Sequence, residues 1–252
     1  MNKMLIYSIS IILFAGWIYS DEELNTLLRT GDSFYENLDN QGALKSYLEV
    51  LTMDSLNYEA SWKVSRAYID IGETLKDEPR REYFLKGENY ARKAVLLDST
   101  GAYGHIYLSI ALGRVALDES AKKRIQLSKE IRKQAELAIK YNPGIDISYH
   151  VLGRWHRKIS NLSWIEKSFA NVFLGGVPKD ASNEQAVLCF KKAIELNPEH
   201  INHHLELAKT YKVMGQKENA LKELKICLEL PVKDSDDPAH KEEAKKMIED
   251  LD

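Results

Sequence analysis

Three histidines and a glutamate fall within seven residues and form the only histidine cluster of the chain. His200 and His204 are four residues apart, so a helix would place both imidazoles on one face, where they could share a divalent cation. His203 and Glu206 lie beside them. His200, however, precedes the predicted helix, and His204 takes a position that packs against a neighbouring helix. Packing explains this cluster better than ligation, and we predict neither a metal nor a cofactor.

The remaining reactive side chains are not arranged for catalysis. The chain has no Gly-x-Ser-x-Gly elbow, and Gly175-Gly176 is a lone turn rather than a phosphate-binding loop. Its two cysteines, Cys189 and Cys227, are too few for a disulfide scaffold or a four-cysteine zinc site. Cys227 takes a small, buried position, so inert packing is expected. We predict that the protein is not an enzyme.

The distribution of charged residues is more informative than the candidate metal and catalytic residues. The 252 residues include 35 basic and 38 acidic ones, and a net charge of −3 argues against nucleic-acid binding. The segments differ strongly, however, with −7 over residues 21–61, +7 over residues 122–167 and −5 over residues 229–252. This segregation fits ordinary solvated helix surfaces, and it also fits an attractive field for an acidic partner.

A repeated pattern predicts the elements that position these charges. Only 13 glycines and 6 prolines favour a mostly helical chain. Ala186, Phe190, Ala193 and Pro198 have the spacing of the second helix of a tetratricopeptide repeat. Four weaker copies give five closing positions: Ser55, Ser99, Pro143, Pro198 and Pro231. We predict an all-α, right-handed α-solenoid of five irregular tetratricopeptide-like repeats over residues 21–252, with insertions and a C-terminal capping helix over 239–251.

Three insertions account for the uneven spacing of the copies. The closing positions are 44, 44, 55 and 33 residues apart, against a repeat of about 34. The surplus lies between the two helices of a copy, in residues 74–86, 117–128 and 159–181. The third insertion is long enough for a helix of its own from Trp164 to Phe173. Its apolar stripe, which includes Leu162, Trp164 and Ile165, predicts that this helix packs back on the repeats and buries Trp164.

The third insertion also carries a family resemblance. Residues 153–167 read GRWHRKISNLSWIEK and are followed by Ala170-Asn-Val-Phe173 and the repeat positions Ala186, Phe190 and Ala193. Together with residues 83–97 and His105, they resemble the regulator of microtubule dynamics family over about residues 60–251. The resemblance implies a helical domain after a hydrophobic N-terminal segment. It also implies protein binding at microtubules or organelle membranes without catalysis, with microtubules as partner only in a eukaryotic cell.

A basic groove is the predicted site. In tetratricopeptide proteins the second, fifth, ninth and twelfth places of each first helix line the concave face. Here these places predict an apolar middle flanked by basic and imidazole groups. The predicted groove residues are Trp62, Arg66, Tyr103, Ile106, His150, Arg154, Arg157, Lys209 and Lys212. Guanidinium and ammonium groups on adjacent helices suit carboxylates or phosphates.

Two functions remain open on this evidence. The first is a non-catalytic protein-interaction scaffold that holds an acidic or extended segment of a protein partner in the groove. The alternative is a binding module for an anionic lipid or small ligand in the same place. An open channel would favour the peptide, whereas a deep apolar pocket narrowed by the insertions would favour the lipid.

The first twenty residues form a separate unit. Lys3 precedes an uncharged run of sixteen residues, Leu5–Ser20, which is shorter than the roughly 20 residues of a spanning helix. A short apolar core followed by small and then acidic residues is typical of a secretory signal cleaved after Ser20. A retained membrane anchor and a buried helix are the alternatives. We therefore expect an exported protein, periplasmic or secreted, or one anchored through residues 1–20.

Overall fold

The structure, a computed structural model, describes residues 20–173, 176 and 178–251, with the side chains at 165, 169, 172 and 173 left aside. The signal or anchor predicted within residues 1–20 therefore lies almost entirely outside the described residues. Within them, twelve α-helices follow one another and no strand occurs. The helices are α1 Asp21–Glu36, α2 Asn40–Met53, α3 Tyr58–Thr74, α4 Asp77–Leu97, α5 Ala102–Val115, α6 Ala121–Tyr141, α7 Asp146–Ser160, α8 Trp164–Phe173, α9 Asn183–Leu196, α10 Ile201–Val213, α11 Lys217–Glu229 and α12 Asp237–Leu251.

The helices pack as five antiparallel pairs, which confirms the predicted all-α solenoid. The pairs are α1/α2, α3/α4, α5/α6, α7/α9 and α10/α11, and α12 packs on the last pair as a cap. Close approach within a pair depends on small residues. A Cβ added at Gly153 of α7 would lie 2.9 Å from the ring of Phe190 on α9, so no larger residue fits there without a shift.

The three insertions are mostly helical and lie side by side. The first two lengthen α4 and α6 to 21 residues each, with a short 3-10 turn, Ala116–Asp118, before α6. The third contains α8, as predicted. Ion pairs join neighbouring insertions: Arg80 Nη2 lies 3.4 Å from Asp118 Oδ1, and Arg124 Nη2 lies 3.1 Å from Glu166 Oε1. The insertions thereby form one continuous edge of the solenoid.

The prediction that Trp164 is buried is wrong. Helix α8 packs against α6 and fully buries Ala170, but Trp164 is 80% exposed. Trp164 is the first residue of α8, where Ser163 and Glu166 form a reciprocal capping box that points this turn outward. Trp155 of α7, by contrast, is buried, and its indole N–H donates to the Ser128 carbonyl at 2.8 Å.

The two ends of the solenoid meet. The Asn40 amide at the start of α2 donates to Ser235 Oγ, 3.2 Å away in the loop between α11 and α12. This contact joins residues 195 positions apart in the chain, so the stacked pairs curve round an interior cavity. Within the described part of the chain, no helix is both long and apolar enough to cross a membrane.

Candidate functional site

The interior cavity has a volume of about 490 Å³ and is walled by the first helices of the repeats, by α6 and the start of α8, and by the 234–236 loop. Much of its wall is aliphatic. Six isoleucines contribute to it: Ile69, Ile110, Ile125, Ile131, Ile147 and Ile159. Volumes of roughly 300–1,000 Å³ are typical of small-molecule sites, so the cavity is large enough to hold a ligand.

Three cations converge on one part of this wall. Arg114 of α5 faces Arg154 and Lys158 of α7. Arg114 is ion-paired with Glu73 of α3, whereas Lys158 has no ion pair or hydrogen bond with any other described residue. Burial, together with the charges of Arg154 and Arg114, lowers the pKa of Lys158 to about 8. Cations that repel one another in this way form a site suited to an anion.

Another part of the cavity wall contains Arg66, Asp70 and Tyr35, which interact with one another. The Arg66 guanidinium lies 3.5 Å from the centre of the Tyr35 ring and donates to the Tyr47 hydroxyl at 3.2 Å. Burial raises the pKa of Asp70 to about 7, although Arg66 opposes the effect. The charge of Arg66 is therefore already engaged by tyrosines and by Asp70 of its own helix.

The structure brings together only part of the predicted groove. Arg66, His150 and Arg154 line the cavity. Trp62 stacks on Tyr103, with ring centres 4.6 Å apart, and on Tyr107 at 5.5 Å. Ile106 is fully buried in the core between the second and third pairs, so it offers no surface to a ligand.

The other three predicted cations serve the protein's own acidic groups. Glu206 of α10 is buried, and Arg157 forms an ion pair with it while Lys209 Nζ lies 3.1 Å from its Oε1. Lys209 also contacts Glu243, and Lys212 Nζ lies 3.2 Å from Asp250 Oδ2. Both of these acids belong to α12. The cap thus lies over the basic face of α10 that sequence analysis assigned to the groove.

Glu206 is the centre of this ion-pair network. Burial by itself would raise the pKa of its carboxyl group, but Arg154, Arg157 and Lys209 outweigh burial and lower the pKa to about 2. Arg154 Nε lies 3.8 Å from Glu206 Oε2, farther than a hydrogen bond. Arg154 therefore faces the cavity and the network at once, whereas Arg157 belongs to the network.

The histidine cluster is held by hydrogen bonds. His203 Nε2 lies 2.9 Å from Asp146 Oδ2, and His203 Nδ1 lies 2.9 Å from His150 Nδ1. If Nε2–H donates to the carboxylate of Asp146, then His203 Nδ1 must accept from His150, and both rings are neutral. Burial lowers the pKa of His203 to about 4. His204 contacts Glu223 and the Pro198 carbonyl, which uses both of its ring nitrogens.

Arg114 and Lys158 are two cavity residues that the predicted groove did not include. Ile110 and Arg154 take the ninth, groove-lining place of their helices, and Arg114 and Lys158 lie four residues after them, so each continues the groove-lining stripe. Extending the groove stripe by one helical turn would have found both. The two cysteines stay outside the cavity wall, and burial raises the pKa of the Cys227 thiol to about 12 and that of Cys189 to about 11.

Comparison with known proteins establishes the family. Residues 27–252 match the model of regulator of microtubule dynamics protein 1-3. The chain belongs to this family. It is 27% identical over 238 residues to regulator of microtubule dynamics protein 3 of Bos taurus, covering 92% of this chain and 50% of that protein. It is 30% identical over 217 residues to the Xenopus laevis protein 3, covering 84% and 46%. The chain thus spans about half the length of these relatives.

Solved structures agree on the fold. A thermophilic TPR protein of Thermus thermophilus superposes with a TM-score of 0.65 at 18% identity, covering 88% of this chain and 99% of that one. The pilF protein of Pseudomonas aeruginosa superposes with a TM-score of 0.53 at 14% identity, covering 91% and 86%. A tetratricopeptide-like solenoid in the regulator of microtubule dynamics family supports a role as a protein-interaction scaffold.

Proposed function

We propose that this scaffold is non-catalytic and that its cavity binds an anionic amphiphile, such as a lipid with a carboxylate or phosphate head group. One observation supports the proposal: Lys158 lies beside Arg114 and Arg154 with no ion pair or hydrogen bond to any described residue, in a cavity to whose wall six isoleucines contribute. An anion placed among these three side chains would relieve their mutual repulsion and accept charge-assisted hydrogen bonds from them.

The apolar part of the wall favours an amphiphile over a small hydrophilic anion. Each buried methylene group contributes about 0.8 kcal/mol to binding, so an acyl chain against the isoleucines adds affinity that a free phosphate lacks. Closure of the solenoid by the Asn40–Ser235 contact favours a compact ligand over an extended peptide, which needs a channel open at both ends. The lipid alternative raised by the sequence is therefore the better supported one.

The test compares three probes by isothermal titration calorimetry. Sodium oleate carries an acyl chain and an anionic head, oleyl alcohol carries the chain alone, and an acetylated hexaglutamate peptide carries charge alone. We expect oleate to bind and Lys158→Met to weaken that binding by about tenfold or more, because a hydrogen bond to a charged group contributes about 1.5–3 kcal/mol. Lys122→Met, an exposed lysine on α6, is the matched control.

Several outcomes would overturn the proposal. One is equal affinity for oleate and oleyl alcohol, and another is unchanged oleate binding by Lys158→Met. Binding of the acidic peptide, weakened by the same substitution, would instead support a protein segment as the ligand. Raising the salt concentration should weaken oleate binding, because salt screens the attraction between the head group and these cations.

An acidic protein surface is a second candidate partner, at a different place. Lys122, Lys133 and Lys140 are exposed on α6 and lie in one stripe at helical spacing. The names of the relatives refer to microtubule dynamics, so microtubules are the partner to test for a protein of eukaryotic origin. Charge reversal of all three lysines should abolish co-sedimentation with microtubules, whereas Lys158→Met should not. Co-sedimentation that survives the reversal would refute this candidate.

The proposed location is outside the cytosol or at a membrane. The apolar run before Ser20 supports either export with cleavage or anchoring through residues 1–20. Cell fractionation with N-terminal sequencing distinguishes them: a mature chain that begins near Asp21 indicates export, and an intact N-terminus in the membrane fraction indicates an anchor. An intact N-terminus on cytosolic protein would contradict both.

A further inference from the structure

A second group of chemically unusual side chains lies where the solenoid closes. Asp236, Asp237 and His240 come from the loop before α12 and from the first turn of that helix, and we call them the 236–240 cluster. One donor atom from each lies within 4.8 Å of the other two. His240 Nε2 is 3.5 Å from Asp236 Oδ2, and His240 Nδ1 is 3.8 Å from Asp237 Oδ1.

Asp237 provides a buried carboxylate oxygen that no hydrogen bond uses. Its side chain is only 2% exposed. Oδ2 accepts from the backbone N–H groups of Lys233 and Asp234, both at 2.8 Å, and so holds the turn before α12. Oδ1 is buried without a hydrogen-bond partner, and so is Nδ1 of His240. A buried polar atom without a hydrogen bond destabilises the fold by about 1–3 kcal/mol. A ligand that binds both Asp237 Oδ1 and His240 Nδ1 would remove this penalty.

Helix capping explains only part of this arrangement. Acidic residues at a helix N-terminus interact favourably with its dipole, which accounts for Asp236 and Asp237. It does not account for the two buried atoms without a hydrogen bond, Oδ1 of Asp237 and Nδ1 of His240. A third carboxylate, Asp234, adds to the local negative charge. It lies beside the cluster with its Oδ2 3.7 Å from His200 Nε2, and the same loop contributes to the cavity wall.

We propose that Asp236, Asp237 and His240 bind a divalent transition-metal cation, with zinc as the representative ion. Two carboxylates and one imidazole are ligands that zinc accepts, and a fourth position remains for water. Zinc bonds of about 2.0–2.2 Å place ligand atoms roughly 3.3 Å apart. One ion takes only one ring nitrogen, and His240 Nδ1, which lies 3.8 Å from Asp237 Oδ1, is the imidazole ligand. The 40% exposed side chain of Asp236 has room to rotate toward it.

The cation would stabilise the contact that joins the two ends of the solenoid. Ser235 precedes the cluster directly and accepts the hydrogen bond from Asn40 that joins the two ends. Fixing Asp236 and Asp237 to His240 of α12 would hold this loop in the conformation that makes the contact. The proposal does not depend on the ligand of the cavity, and it can fail or succeed separately.

The test is a titration of the whole chain with zinc chloride after removal of metals with EDTA. Calorimetry should show one saturable site per chain, and zinc should raise the melting temperature of the wild type. Asp236→Asn and His240→Gln should each weaken zinc binding at least tenfold and remove the thermal shift. Both changes leave the buried Asp237 intact, and circular dichroism confirms that each variant folds.

Asp250→Asn is the matched control, since it removes a carboxylate from the same helix outside the cluster, and it should bind zinc like the wild type. Absence of a saturable zinc site would overturn the proposal. So would zinc affinity that persists unchanged in both cluster variants. Magnesium binding as tight as zinc binding would overturn the role of the imidazole, because magnesium prefers oxygen ligands.

Discussion

Replacing Glu206 by glutamine should destabilise the protein far more than the small change in shape suggests. The carboxylate is buried between α7 and α10, where Arg157 and Lys209 neutralise it. Its pKa falls from an ordinary 4.5 to about 2, which corresponds to about 3 kcal/mol of folding free energy at pH 7. Breaking a buried ion pair by removing one partner typically costs 3–5 kcal/mol, so a loss of about 3 kcal/mol is expected at pH 7.

The loss of stability in Glu206→Gln should depend on pH. A carboxyl group whose pKa is lowered by folding contributes its full stability above pH 4.5 and loses it as the pH falls toward 2. The difference between wild type and Glu206→Gln should therefore shrink from about 3 kcal/mol at pH 7 to about 1 kcal/mol at pH 3. Urea unfolding followed by circular dichroism at both pH values measures it.

The matched control is Glu195→Gln on α9. Glu195 pairs with Lys192 at 2.6 Å, but its side chain is 66% exposed, and exposed pairs contribute only about 0–1 kcal/mol. A loss below 1 kcal/mol for Glu206→Gln at pH 7, or a loss that is equal at pH 7 and pH 3, would refute the account of Glu206 as the centre of a buried network.

Three further results are expected. Lys158→Met should leave thermal stability at pH 7 unchanged or raised, because the pKa of about 8 marks an unpaired cation. The unfolded chain binds more protons between pH 8 and 10.5, so wild-type stability should rise there through Lys158 and that of the variant should not. In urea unfolding, Trp155→Ala should cost about 3–5 kcal/mol and Trp164→Ala about 0.5 kcal/mol or less; equal costs would contradict the assigned burial. Wild-type stability should fall from pH 6.5 toward pH 4, because burial holds the pKa of His203 near 4, and His203→Gln should flatten that profile.

The fold was largely predictable because repeat packing depends on residues that the sequence displays directly. Small residues where two helices touch, such as Gly153 and Ala186, and a large one such as Phe190 recur at fixed spacing. Each pair buries its own apolar face against its neighbours, so local pattern and tertiary contact coincide. Even the extra helix of the third insertion was predictable from the length of the insertion and its apolar stripe.

The site was only half predictable, because a repeat pattern specifies which way a helix faces and not what covers it. Lys209 and Lys212 occupy groove positions in the repeat, but α12 supplies Glu243 and Asp250 to them. The cap has no counterpart in the earlier repeats. For the same reason Trp164 was misassigned: an apolar stripe predicts that one face of a helix is buried, and a residue in the first turn can still point outward.

The contrast between Arg157 and Lys158 shows how the cavity acquires its chemistry. The two are neighbours on α7, about 100° apart round the helix axis. One turns toward the buried carboxylate of α10 and becomes structural, while the other turns toward the cavity and keeps an uncompensated charge. Acidic residues from the C-terminal segment neutralise the cations on the cap side of the solenoid. The cations left on the cavity side then repel one another, and an anionic head group is the chemistry that would balance them.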